Sequence, residues 1–441
     1  MEPQVKFAAA TDFPQDIVAL GKLCSDLATQ VSSKLSETGH PQPSFAADGP
    51  SVFPILDQDF ENKRNQLREA SKMLYELTTN PEDLVTRELW AKVHDINAFS
   101  YIVKYKLAEH VPINGKISYT QLAQKASTGH GLTRKMLRHL MTLRVFAEPE
   151  PETVKHTAAS KLLLDRGTFL NTKFISHDTF QTAAVHLKAL EKWGHETRAP
   201  NETAHNIAHN SDKPFFEWLR DEPKGAQDFA DLMAYLFKSS ARGHTSLLES
   251  YDWNKLGKIT MVDVGGSSGH CSIAIAKVNP DMTFIVQDLP NIAAQSSDPA
   301  TTIVPPELRD RITFQGHDML EEQPVLADAY FMRMVLHDWP DDFCVKALAN
   351  IAKAMARRQG SRLYIVDSVL PAPSELLTVL ERPMRVADLQ MTIIHNGMER
   401  QLDEWDALFR RGHQALAIQR VVRMPQSPHA IIELQLDEKL L

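Results

Sequence analysis

The chain has 441 residues, 43% of them hydrophobic and 24% charged, with a formal net charge of -8 and a pI near 6.1. That length accommodates two or three domains, and the acidic balance excludes a bulk electrostatic attraction to nucleic acid or anionic membrane. No run of about 18 apolar residues occurs, so no transmembrane helix is expected.

The N-terminus, Met1-Glu-Pro-Gln-Val-Lys, lacks the basic start and apolar core of a signal peptide. Cys24, Cys271 and Cys344 are far apart and fit no metal spacing. Free thiols in a reducing, cytoplasmic setting are the expectation.

Residues 12–36 carry Ile17, Leu20, Leu23, Cys24, Leu27, Val31 and Leu35 at helical spacing. This stripe either packs on its own domain or forms a dimerising arm. The Pro-rich stretch His40–Pro50 is a linker, so 1–60 reads as a helical arm and linker. Residues 61–165 read as a second domain, helical at first with a break at Asn80-Pro81. Two short helices follow, from Tyr119 and from Leu132, the second with Leu132, Met136, Leu137, Leu140 and Leu143 on one face. Phe146–Thr157 then reads as a hairpin or wing. Helix, helix, wing is a winged-helix signature, and such modules often bind DNA. Arg134, Lys135, Arg138 and His139 would suit phosphates, but Glu148, Glu150 and Glu152 on the wing would repel them. A structural module is the reading, with no nucleic-acid partner.

Residues 166–250 read as helices that wall a substrate pocket, broken near Gly194–Asn201 and Asn210–Pro214. From 251 to 441 apolar runs at 259–264, 282–287, 312–315, 328–335 and 361–366 alternate with helical stretches. This α/β pattern implies a doubly wound parallel sheet. The runs at 415–422 and 429–436 are joined by the short loop Met424-Pro-Gln-Ser-Pro, so they form an antiparallel hairpin.

The segment Met261-Val-Asp-Val-Gly-Gly-Ser-Ser-Gly-His270 joins the first run to a helix, and Phe284-Ile-Val-Gln-Asp-Leu-Pro-Asn291 ends the second run in an acid. Gly265 and Gly266 permit a tight turn and close backbone approach to a ligand. Asp288, 23 residues after Gly265, stands where an acid accepts hydrogen bonds from ribose hydroxyls. The glycine spacing is not that of a dinucleotide fingerprint. The pattern D-x-G-x-S-x-G resembles the first motif of S-adenosylmethionine (SAM) methyltransferases, with Ser267 in place of a glycine.

Ligands of open parallel sheets bind at the carboxyl ends of the strands, which adds Asp318 and Met319 after the third run and Arg333 after the fourth. The candidate cofactor residues are therefore Asp263, Gly265, Gly266, Asp288, Leu289, Asp318, Met319 and Arg333.

The segment Met332-Arg-Met-Val-Leu-His337-Asp-Trp-Pro-Asp-Asp makes the resemblance specific. L-H-D-W-P-D, D-V-G-G-x-x-G-H and D-L-P-N together resemble the fungal natural-product O-methyltransferases, relatives of the plant caffeate and flavonoid enzymes. The resemblance covers roughly residues 70–440. It implies a class I methyltransferase fold with SAM as cofactor, a helical dimerisation region and a homodimer. It also implies His337 as general base, flanked by Asp367, at the end of the next strand, and by Glu399 in Asn396-Gly-Met-Glu-Arg-Gln.

The chemistry fits these residue types. An imidazole with a pKa near 6.5 can take a hydroxyl proton at neutral pH. A carboxylate beside the ring fixes its tautomer and stabilises the imidazolium. No metal is required.

The pocket candidates are Phe174, His177, Phe180, Trp193, Met233, Phe237 and Met391, with His413 added because Arg411-Gly-His413 stands where A-G-F is common in the family. Gln401 replaces a usual Thr. Some fungal proteins of this fold keep SAM yet catalyse dehydration or pericyclic reactions of polyketides or pyridones. A SAM-bound pericyclase or cyclase is thus the alternative to O-methylation of a phenolic or enolic hydroxyl. A transcription regulator is a third, of a different class.

Overall fold

A computed structural model describes residues 13–238, 244–424 and 427–440. The start of the first helical stripe, residues 239–243 of an expected pocket helix and residues 425–426 of the hairpin loop lie outside the described residues. The chain divides into two compact units. One comprises the chain through Ala184 with Lys224–Leu232 and Pro371–Pro383; the other comprises Val185–Pro223, Met233–Leu370 and the chain from Met384.

In the first unit, the helix Ile17–Glu37 starts at Asp16, whose side chain accepts from the backbone N–H groups of Val18 and Ala19. Its stripe is covered by the same chain. Leu20 packs with Ala70, and Val31 and Leu35 pack with Phe60, both partners lying on the helix Gln58–Thr78. Ile17, at the edge of the stripe, is 51% exposed. The linker is pinned as well as non-helical. Ala46 bridges Thr157, and Ala158 N–H donates to the Phe45 carbonyl.

The helices Tyr119–Lys125 and His130–Thr142 pack with a two-stranded ribbon, β1 (Lys116–Ser118) and β2 (Thr153–Lys155). The expected hairpin at 146–157 is only partly local. Ala147 bridges Lys155, but the main partner of β2 is β1, which precedes both helices. Leu137 and Leu140 are buried, whereas Leu132 and Leu143 of the expected apolar face are 48% and 41% exposed. The helix begins only at His130 and ends at Thr142, so those two leucines sit at its frayed ends. A π-helical turn, Phe174–Thr179, interrupts the helical run that follows.

The second unit is built on an eight-stranded sheet. Its strands are β3 (Thr260–Val264), β4 (Thr283–Asp288), β5 (Ile312–Gly316), β6 (Ala329–Arg333), β7 (Arg362–Leu370), β8 (Arg400–Gln401), β9 (Leu416–Arg423) and β10 (His429–Leu436). The order is β5-β4-β3-β6-β7-β10-β9, with β8 paired to β7 off that path. β5 to β7 run parallel, and β10 is antiparallel to both β7 and β9. Helices His270–Val278, Pro290–Ser297 and Asp341–Ala356 connect the parallel strands. One apolar cluster around Val262, Tyr330, Leu348, Ile365, Trp405 and Phe409, and another around Met261, Phe284, Phe331, Tyr364 and Trp253, make up the core of this unit.

Two expected strand ends are corrected, and both corrections bear on the site. The run 328–335 stops at Arg333, because Met334 adopts φ 51° and turns the chain out of the sheet. The run 361–366 continues to Leu370, because β10 pairs it through Ser368 and β8 pairs Val369 and Leu370. Asp367 therefore lies inside a strand rather than at its end. Among the described residues no helix is long and apolar enough to cross a membrane, and all three cysteines are free thiols.

Trp405 ties the helix Leu402–Gly412 to β7. It is fully buried, its Nε1–H donates to the Ser368 carbonyl at 2.9 Å, and it stacks on Phe409. Trp405→Ala is expected to cost about 3–5 kcal/mol. Trp405→Phe, which keeps a ring but strands the Ser368 carbonyl, should cost about 1–3 kcal/mol. Denaturant midpoints at unchanged slope would read both.

Candidate active site

The carboxyl ends of β3, β4, β5 and β6 carry the residues of the glycine loop and the two acidic motifs. Gly265 and Gly266 turn tightly, and both N–H groups donate to the Gln287 carbonyl at 2.8 and 3.1 Å. Neither tolerates a side chain. A Cβ on Gly265, where φ is 72°, would lie 2.8 Å from Val335, and one on Gly266 would lie 2.6 Å from Asp263 Cγ. Ser267, where the family usually has glycine, takes the left-handed conformation with φ 51°.

Its N–H donates to Asp288 Oδ2 at 2.9 Å, and Leu289 N–H donates to Asp288 Oδ1 at 2.8 Å. A carboxylate oxygen has two lone pairs, so each Asp288 oxygen retains one for a further donor. Burial raises the Asp288 carboxyl above its ordinary value, and these two N–H groups pull it back.

Asp263 is buried and accepts from Ser272 Oγ at 2.6 Å. Burial, opposed by that hydrogen bond, pushes it up to about 6. Its role in the structure is to hold the start of the next helix. Asp318 is exposed and accepts from Leu320 N–H, and Met319 is half-buried against the core. Arg333 lies over the Phe237 ring, 4.9 Å from its centroid. A glycine cradle with no room for a side chain, beside an acid with lone pairs to spare, fits a nucleoside with a vicinal diol.

His337 follows β6 on a short 3-10 turn, Leu336–Asp338. Its ring is 6% exposed and surrounded by carboxylates. Nδ1 is 3.0 Å from Glu399 Oε1, in a hydrogen bond, and 3.5 Å from Asp367 Oδ1; Nε2 is 3.5 Å from Asp338 Oδ1. Burial alone would lower the imidazole pKa, but Asp367, Asp338 and Glu399 outweigh it and raise the pKa to about 10. Burial is in turn the largest influence on the acids. It lifts Asp367 to about 7 against the pull of His337, and Asp338 to about 6 against the same pull. An imidazole and two carboxylates with ligand atoms within 4.8 Å of one another have the composition of a metal centre as well as of an acid–base centre. Here the Nδ1–Glu399 hydrogen bond engages the atoms a metal would use.

The local backbone explains how three distant segments meet. Met334 at φ 51° swings the chain out of β6 toward the turn. β7 carries Asp367. The β7–β8 pairing, Val369 with Arg400, lays Glu399 beside that strand. Met398 N–H then donates to the His337 carbonyl at 3.1 Å, and a Cβ on Gly397 would lie 2.1 Å from that same carbonyl. Arg400, buried and paired with Asp341 at 2.9 Å, donates to the Leu336, Trp339 and Met398 carbonyls.

Sequence reasoning assigned no role to Gly397, Asn396 or His395. The glycine two residues before Glu399 was the available signal.

The pocket candidates divide between the two units. Phe174, His177 and Phe180 belong to the first unit; Trp193, Met233, Phe237, Met391 and His413 belong to the second. Phe174 packs near Phe229, and His177 Nδ1 lies 3.1 Å from Ser176 Oγ, its pKa lowered chiefly by burial. Trp193 lies under the Lys192 ammonium, and Met233 and Met391 are half-buried. Phe237 is joined to the cofactor motifs, with Arg333 over its ring and His270 5.3 Å away. His413 follows the helix Leu402–Gly412 and accepts from Ala415 N–H. In the first unit, Arg138 of the helix His130–Thr142 pairs with Glu148 at 2.7 Å and Arg134 of the same helix with Glu152 at 2.8 Å. Those two arginines are thus already engaged by carboxylates.

The O-methyltransferase domain model matches residues 189–414, and the O-methyltransferase dimerisation domain model matches 88–166. The O-methyltransferase VdtC of Byssochlamys spectabilis is 33% identical over 98% of this chain and 99% of its own length. The O-methyltransferase aurJ of Gibberella zeae is 32% identical over 94% and 95%. Among solved structures, OxaC in complex with SAH and oxaline superposes with a TM-score of 0.73 at 22% identity, covering 95% of this chain and all of that one. A protein described as a pericyclic reaction enzyme gives 0.73 at 20% identity, covering 94% of this chain and all of its own. The matching domain models, and relatives about one-third identical over nearly the whole length, place this chain in the family of SAM-dependent O-methyltransferases.

Proposed function

We propose that this enzyme methylates a phenolic or enolic hydroxyl of a small secondary metabolite, with His337 as the general base and Asp367 and Glu399 as its partners. The observation that carries this reading is one buried imidazole facing three carboxylates, on the sheet edge that also carries the glycine loop. Asp263, Gly265, Gly266, Asp288, Leu289, Asp318, Met319 and Arg333 are assigned to SAM, which supplies a methyl group already activated on a sulfonium. What remains for the chain is to orient the acceptor hydroxyl and take its proton.

With His337 raised to about 10 and Asp367 to about 7, the cluster titrates as a unit. The carboxylates thus strengthen the imidazole as a proton acceptor and stabilise the imidazolium it becomes. Phe237, beside Arg333, is the pocket candidate best tied to this edge; Phe174, His177, Phe180, Trp193, Met233, Met391 and His413 remain assigned to the acceptor pocket. We assign residues 251–441 to cofactor binding, 166–250 to the pocket helices, and 61–165, with the arm at 1–60, to a homodimer. The paired arginines of the helix His130–Thr142 support a structural rather than a nucleic-acid role for that module, and the free cysteines suit a cytoplasmic setting.

The alternative is a SAM-bound pericyclase or cyclase performing dehydration, Diels–Alder or Alder-ene chemistry on the same scaffold. Incubation with methyl-labelled SAM and a panel of phenols and enols separates the two. A product heavier by one labelled methyl is expected, whereas an isomer or dehydrated product with SAM unconsumed would establish the alternative.

His337→Gln should lower kcat by roughly 10²–10⁴-fold while calorimetric affinity for S-adenosylhomocysteine persists. Gly397→Ala, which drives a Cβ into the His337 carbonyl, should cost about 10²-fold in kcat through misplacement of the ring, again with cofactor affinity retained. The sign of the pH dependence follows from the acids. Protonating Asp338 and Asp367 removes charges that favour the imidazolium, so kcat/KM should rise with pH between about 6 and 7 and go on rising as His337 itself loses its proton toward about 10. A flat profile through this interval would contradict the cluster as base.

A further inference from the structure

One oxygen of Asp338 serves two imidazoles. Oδ1 lies 3.5 Å from His337 Nε2 and 3.5 Å from His395 Nε2. His395 is the last residue of the helix Thr378–His395 and is 7% exposed. Its ring stacks on Phe216, with centroids 5.2 Å apart and planes at 24°, and meets Phe215 edge-on at 5.1 Å. Those two rings belong to the helix Phe215–Arg220, whose Phe215 and Trp218 also pack edge-on against His205. Burial is the main reason the His395 pKa falls to about 3, with His337 and His205 adding to the effect. The ring is therefore neutral across the working pH range. A neutral imidazole among aromatic rings can satisfy a carboxylate only by giving it an N–H.

We propose that His395 is a positioning residue for the proton-accepting centre: by donating its Nε2–H to Asp338 Oδ1 it holds that carboxylate beside His337 Nε2, where its charge favours the imidazolium. The inference deepens the reading of His337 as base and rests on it. The groups facing this pair are His337 and Glu399 on the catalytic side, with Asp367 behind the His337 ring, and His205 on the aromatic side.

The next residues strengthen the case. Asn396, at φ 53°, donates through Nδ2 to the carbonyls of Ala199 at 2.8 Å and Glu202 at 3.2 Å. Gly397 and Met398 meet the His337 carbonyl, and Glu399 meets the His337 ring. Five consecutive residues thus join the aromatic helices at 199–220 to the catalytic imidazole. His395 is the member that reaches Asp338, the carboxylate beside Nε2.

The test compares His395→Phe, which keeps the ring and its stacking on Phe216 but removes the donor, with His395→Gln, which keeps a donor and loses the ring. The readout is the pH titration of the His337 imidazole in full-length protein with ¹⁵N-labelled histidine, assigned by its loss in His337→Gln. In His395→Phe, Asp338 is released from Nε2 and the His337 midpoint should fall by about one pH unit; in His395→Gln it should stay near that of the unmodified protein. On an Asp338→Asn background the His395→Phe shift should vanish, since the effect acts through that carboxylate. An unchanged midpoint in His395→Phe, or equal shifts in Phe and Gln variants with parallel losses of thermal stability, would overturn the proposal. The titration needs no turnover, so a shift seen without methylated product would count against the methyl-transfer reading and not against His395.

Discussion

Everything at the catalytic edge depends on one packing constraint, the contact between the His337 carbonyl and the backbone of Gly397 and Met398. A side chain at Gly397 would occupy the space of that oxygen. Because the backbones touch, Glu399 falls within hydrogen-bonding reach of Nδ1, and Arg400 can tie the Leu336 and Trp339 carbonyls to the same segment. Burying so much charge is costly in isolation. It is tolerable here because the opposing charges are held face to face by backbone contacts made regardless of protonation.

That arrangement leaves a thermodynamic signature. The carboxyls of Asp338 and Asp367 and the imidazole of His337 are all raised above their ordinary values. The native state therefore binds more protons than the unfolded chain in each window. The contribution of each group is present below its unfolded pKa and is lost as pH rises through its folded one. At neutral pH the site thus draws on stability supplied by the two apolar clusters of the second unit.

Much of the fold was legible in the sequence, and the reasons are physical. Buried parallel strands are continuous apolar runs between glycine turns and helices, and β3 to β5 lie where such runs predict. Strand ends were less legible, because they are decided by partners. Met334 leaves β6 by a left-handed residue that no propensity marks, and β7 runs past Asp367 because of pairing with distant β8 and β10. In the site, His337, Asp367 and Glu399 were legible through motif resemblance. His395 was not, since a histidine near a helix end reads as ordinary until Asp338 is found beside it. The pocket residues were least legible. An aromatic at helical spacing carries no sign of whether it faces a core or a cavity, and Phe237 stands apart through its contacts with Arg333 and His270.

The scaffold itself is chemically uncommitted. At 20–22% identity it superposes on proteins described in such different terms as an OxaC complex and a pericyclic reaction enzyme, so the argument for a reaction must come from side chains. A site that only holds a substrate in one geometry gains nothing from three carboxylates buried around a single imidazole, and each of them carries a desolvation cost. A site that must take a proton from a weakly acidic hydroxyl near pH 7 gains a great deal. The carboxylates strengthen the imidazole's hold on the proton it receives and so stabilise the imidazolium. The expense of that cluster, set against the economy of the glycine cradle beside it, is the strongest physical reason to read this sheet edge as a place where a hydroxyl is deprotonated.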